Sequence, residues 1–137
     1  MKHYLVLIIS LFFVVILTCC NKKEIDYNVR SRWIYINETN HSISYKPDDC
    51  CNEFNISAFD TIIYNMSGDG PEEVTESYYY PPLNVHAVVI DSVKCDSTLA
   101  LEIKETSSYI SNKIGKRYYE FIFRFTDQNT SSAVDCN

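Results

Sequence analysis

Tyr119-Glu120-Phe121-Ile122-Phe123-Arg124-Phe125 decides the fold. Four aromatic side chains fall on every second residue, with Glu120, Ile122 and Arg124 between them. That is the period of a β-strand with one face on a core. Burying the four rings contributes on the order of 8–12 kcal/mol by transfer, before entropy is charged against it. A strand carrying that much apolar area needs a facing layer, and the rest of the chain offers strands to build one.

Arg32-Trp33-Ile34-Tyr35-Ile36 is dense in aromatic and β-branched residues and reads as the first strand. Asn37 to Asn40 is turn chemistry, and His41 to Tyr45 alternates again, so the two segments are expected to form a hairpin. Phe54 to Ala58 and Thr61 to Tyr64 read as two further strands. Ser67-Gly68-Asp69-Gly70-Pro71 reads as a breaker. Glu72 to Pro82 is acidic and then aromatic, a long loop. Val85 to Ile90 is almost wholly apolar, as in a central strand. Leu99, Leu101 and Ile103 alternate with polar or small residues and predict another strand. Thr106 to Lys116 is polar.

Seven or eight strands and no convincing amphipathic helix predict an all-β domain, a two-layer antiparallel sandwich, with an immunoglobulin-like arrangement as one form of it. A small barrel is the second choice. The 137 residues suit one domain, and 11 Tyr, 7 Phe and one Trp argue for a packed core. The expected division is residues 1–19 as a leader, 20–29 as an anchor and tether, and 30–137 as the domain.

The leader has Lys2 followed by an apolar run from Tyr4 to Leu17. A helix of that length rises about 21 Å, short of the roughly 30 Å hydrocarbon core, so a signal peptide is a better reading than a permanent span. Leu17-Thr18-Cys19-Cys20 then resembles the lipobox of bacterial lipoproteins; Leu17 at the third position before it makes Cys20 the expected lipid carrier, with Cys19, which has Ile16 at that position, as the alternative. If the box is fortuitous, the chain is a soluble secreted glycoprotein, with Asn-x-Ser/Thr acceptors at Asn37, Asn40, Asn55, Asn65 and Asn129.

Cys50, Cys51, Cys95 and Cys136 remain, an even number in an oxidising compartment, which predicts two disulfides. A bridge between neighbours strains the peptide, so Cys50 and Cys51 are expected to reach Cys95 and Cys136 separately. Adjacent cysteines lack zinc-ligand spacing, and no metal or other cofactor is predicted. The formal net charge of −6 makes nucleic acid an unsuitable partner.

No nucleophile, metal-hydrolase or phosphate-loop motif occurs, so the chain is not read as an enzyme. Tyr78-Tyr79-Tyr80-Pro81-Pro82 is the one unusual feature. Aromatics fixed by prolines suit stacking on a carbohydrate or contact with a protein. The plainer alternative has the loop fold its tyrosines over the sandwich edge.

The leader, the box, the short tether, the opening Trp33 to Ile43 and the closing Tyr119 to Asp127 together resemble small cell-envelope lipoproteins of Bacteroides-type bacteria, mostly of unknown function. The resemblance implies lipid anchoring in the outer membrane and a non-catalytic binding role, or a structural one without a discrete ligand. An acidic run after the lipidated Cys marks surface export in such bacteria. Asn21-Lys22-Lys23-Glu24 departs from it, which leaves the periplasmic and surface faces both open. The resemblance also implies O-glycosylation at Thr61, Ser92 and Ser97, each in an Asp-Ser/Thr-x motif. Turn residues at strand ends would produce the same motifs.

Overall fold

The structure, a computed structural model, describes residues 27–47, 54–83 and 85–136. The leader, Cys20, residues 21–26, Cys50 and Cys51 lie outside the described residues.

Among the described residues nine strands form two sheets packed face to face. They are β1 (Tyr27–Asn37), β2 (Ile43–Pro47), β3 (Phe54–Ile56), β4 (Thr61–Gly70), β5 (Val85–Ile90), β6 (Lys94–Asp96), β7 (Ile110–Gly115), β8 (Tyr118–Phe125) and β9 (Val134–Asp135). The first sheet runs β4-β1-β8-β7 and the second β3-β2-β5-β6-β9. The all-β sandwich is therefore as the sequence predicts, and β5 is central in its sheet as its apolar run predicts.

β8 buries Tyr119, Phe121, Phe123 and Phe125 on one face. Beside it, parallel and in register, lies β1, which sets Trp33 against Phe121 and Tyr35 against Phe123. The Trp33 and Phe121 rings stack with centroids 4.2 Å apart, and Tyr109 meets Trp33 edge-on. The second sheet faces them with Ile43, Tyr45, Phe54, Ile56, Val88 and Ile90.

Several sequence expectations are corrected. β1 begins at Tyr27, so residues 27–29 belong to the sheet and not to a tether. β1 and β2 form no hairpin but lie in different sheets, so the chain arches across the core between them. Asn37 fastens that arch. Its buried amide donates to the carbonyls of His41 at 2.7 Å and Ser57 at 2.9 Å, and its oxygen accepts from the Thr39 amide and hydroxyl. The parallel β1–β8 pair and the split of β1 from β2 also depart from the immunoglobulin order, in which the first two strands share a sheet.

Ser97–Lys104 is a helix, α1, and not a strand. Asp96 caps it by accepting from the Leu99 amide at 2.9 Å, and Leu99, Ala100 and Ile103 form its buried face. Asp127–Thr130 forms a second short helix, α2, opened by a Thr126–Asn129 capping box. The polar stretch before Lys116 contains β7, an edge strand whose mostly exposed side chains carry no alternation. The Gly68–Gly70 breaker is strand: β4 continues through it to Gly70, and neither glycine has positive φ.

Cys95 is bonded to Cys136, which overturns the expectation that each would take one of Cys50 and Cys51. The bridge joins β6 to the residue after β9, the tail strand that pairs with β6.

Candidate functional site

β1 and β4 extend past the part of the first sheet that the second sheet covers, and there the loop from Pro71 to Leu83 takes over. Buried Val74, Tyr79 and Leu83 hold this loop down. Tyr79 donates its hydroxyl to the Arg117 carbonyl at 3.1 Å, and Thr106 donates to the Tyr79 carbonyl at 3.0 Å. Lys116 Nζ donates to Glu72 at 2.9 Å and holds that carboxyl below its ordinary range. The Ser111 hydroxyl donates to Glu76.

The three tyrosines divide. Tyr79 is 7% exposed and packs on Tyr119 and Phe121. Tyr80 is 78% exposed. Tyr78, at 39%, stands between, its hydroxyl donating to the Asp69 carbonyl at 3.4 Å. The plainer reading of the motif thus holds for Tyr79 and fails for Tyr80.

Between the loop and the sheet lies an open groove of about 550 Å³. Val29, Ser31 and Gly68 contribute its floor, while Met66, Tyr78 and Tyr80 are the large side chains around it. Register explains the hollow. Val29 pairs with Gly68 and Ser31 with Met66, on the face that carries Trp33 and Tyr35 farther along. Two small residues stand where rings would otherwise fill the layer. A side chain added at Gly68 would meet nothing within 4 Å. Gly70 is different: a Cβ there would lie 2.7 Å from the Tyr78 hydroxyl and 2.8 Å from Val29. Its bare Cα lets Tyr78 close one end of the groove. Sequence reading missed Ser31, Met66 and Gly68. The available signal was Ser31, a small polar residue in phase with Val29, Trp33 and Tyr35.

The glycosylation candidates Thr61, Ser92 and Ser97 are all exposed. Their aspartates serve local structure. Asp60 accepts from the Thr61 amide, Asp91 and Ser92 form a positive-φ turn, and Asp96 caps α1.

His41 meets a carboxylate, with Nδ1 2.5 Å from Asp91 Oδ2, above a cavity of about 360 Å³. The Ser42 hydroxyl turns to Asp91 at 3.2 Å, and Ser131 donates to the Gln128 carbonyl. Neither hydroxyl is aligned on the imidazole as a nucleophile requires. His86 lies exposed on β5. Among the described residues no three His, Cys, Asp or Glu side chains are grouped to hold a metal, and no helix is long and apolar enough to cross a membrane.

The class defined by fold and site is a β-sandwich with a loop-walled groove at one end. No protein-family model, no curated protein and no solved structure matches the chain.

Proposed function

We propose that this protein is a lipid-anchored, non-catalytic binding module of a bacterial cell envelope, held in the outer membrane through Cys20, with its ligand site in the groove under Tyr78 and Tyr80. The single observation that supports binding is the hollow itself. A loop held down by buried Val74, Tyr79 and Leu83 stops short of filling the layer and leaves Met66 45% exposed on the inner face of the sheet. The alternative of a secreted N-glycoprotein loses one acceptor, because Asn37 is buried and all its hydrogen bonds are internal.

Met66 is the only methionine besides Met1, so its methyl group is a single reporter inside the groove. Protein labelled with 13C-methyl methionine would be titrated with soluble envelope glycans and with peptides. A saturable Met66 shift, abolished by Gly68→Leu, is expected from the true ligand class. A ligand that binds without moving that methyl puts the site elsewhere, and silence towards every class favours a structural role. Anchoring is tested separately with an alkynyl fatty acid, whose incorporation should vanish in Cys20→Ala.

A further inference from the structure

The first sheet ends at β4, and among the described residues no strand pairs with its outer edge. The hydrogen-bond phase of β1 identifies the groups on that edge. Arg30 donates its amide to Arg117, on the β8 side, and Asn37 donates its amide to Asp60, on the β4 side. Peptide groups alternate sides along a strand, so Val29, Ser31, Trp33 and Tyr35 bond towards β4. Their register partners are Gly68, Met66, Tyr64 and Ile62. The residues between, Ile63, Asn65, Ser67 and Asp69, therefore turn N–H and C=O outward. Tyr78 takes the Asp69 carbonyl. Ile63, Asn65 and Ser67 remain as a ladder.

Proteins normally blunt such edges with shortness, lysine, proline or bulges. Here β3 has three residues and β9 two. β7 carries Lys113 and a register shift between Lys113 and Gly115. β4 has ten residues, no Lys, Arg or Pro, and one charge, Asp69. It is long and unguarded. The groove also opens onto it: Met66, Ser67, Gly68 and Asp69 all line the hollow, whereas a groove confined to one face would meet alternate residues.

We propose that β4 receives an extended peptide as a fifth strand of the first sheet, with alternate side chains of that peptide entering the groove between Met66 and Tyr80. This rests on the reading of the groove as the ligand site and names the ligand class. A ladder of N–H and C=O pairs at two-residue intervals is complementary to another backbone, and the adjoining pocket selects side chains. Met66, Tyr78 and Tyr80 favour an apolar side chain there. Asp69 and the net charge of −6 favour a neutral or basic strand.

The test pans the full chain, purified in detergent micelles, against a display library of random decapeptides, and resynthesises the enriched sequence. Binding should slow hydrogen exchange at the amides of Ile63, Asn65 and Ser67 and shift the Met66 methyl. N-methylation of the peptide at alternate residues in one phase should weaken binding at least about tenfold, and in the other phase should not. Ser67→Pro, which removes an outward N–H, should weaken it similarly. Equal tolerance of both methylation phases, unchanged exchange at the three amides, or no enriched peptide overturns the proposal. A glycan that moves the methyl while no peptide does so overturns it too, but keeps the groove as a site. Amides already protected and released by dilution assign the edge to a second copy and also overturn it. If neither methyl nor amides respond to any probe, both readings fall.

Discussion

His41 Nδ1 lies 2.5 Å from Asp91 Oδ2, and this contact ties the arch between the two sheets to the turn between β5 and β6. The Ser42 amide adds a second bond to the same carboxylate at 2.8 Å. Together, the histidine first, they hold the Asp91 carboxyl below its ordinary range. A depressed folded pKa gives stability that is present above the unfolded value, about 3.9, and lost as pH falls through the lowered one. Asp91→Asn should therefore melt below wild type at pH 5 to 6, and the gap should narrow as pH falls past the unfolded value and through the lowered one. Paired thermal melts across that range provide the check.

Gly68 and Gly70 should respond oppositely to alanine. At Gly70 the new methyl collides with Tyr78 and Val29, and the loss should be about 1–3 kcal/mol. At Gly68 the methyl enters open space, and stiffening the unfolded chain should add about 0.4–1 kcal/mol. Urea melts of the two variants measure both. Gly70→Ala should also displace the Tyr78 ring, visible as a shift of the Met66 methyl.

Tyr35 and Tyr109 form a directed relay. The Tyr109 hydroxyl donates to the Ile103 carbonyl at 2.7 Å in the last turn of α1, so Tyr35 must donate to Tyr109, 3.1 Å away. Tyr35→Phe removes a donor and leaves the helix end satisfied, costing about 0.5–1.5 kcal/mol. Tyr109→Phe strands both the Ile103 carbonyl and the Tyr35 hydroxyl, and should cost more, about 2–4 kcal/mol. Burial raises both hydroxyls far above the ordinary tyrosine range. Their contribution is whole below about pH 10 and is lost as pH rises beyond it. Alkaline melts of wild type and the Tyr35→Phe variant should converge there.

The Cys95–Cys136 bridge closes a separation of 41 residues. Chain entropy assigns such a closure about 4 kcal/mol. The double Cys95→Ser, Cys136→Ser variant should lose that order of stability, and the two-residue β9 should exchange its amides first. A non-reducing peptide map should recover Cys95 and Cys136 in one linked fragment.

Where neighbours alone dictate structure, the sequence was legible. Tyr119 to Phe125 announces its strand because one face meets only core. Leu99 and Ile103 did not announce a helix, because residues four apart share a side in either period. The deciding facts were Asp96 as a cap and buried Ala100 beside exposed Leu101. Gly68 and Gly70 were misread because glycine marks turns and close approaches alike, and only the arrival of Tyr78 tells which. The groove was half legible. Tyr78 to Tyr80 stood out, but Ser31 and Met66 join them only through pairings remote in sequence.

The parallel seam of β1 and β8 sets the order in which this chain can fold. Arg30 pairs with Tyr118 and Asn37 with Phe125, so the middle of the first sheet cannot close until almost the whole chain has emerged. Local hairpins such as β7–β8 can form early, but Trp33 finds Phe121 only across the entire domain. Non-local pairing of this kind folds slowly, because loop entropy is spent before contacts return it. A nascent chain of this design can pair β1 with β4, and β2 with β3 and β5, while the flank of β1 that will receive β8 stays unfilled, so the last quarter of the sequence acts as the keystone of the first sheet.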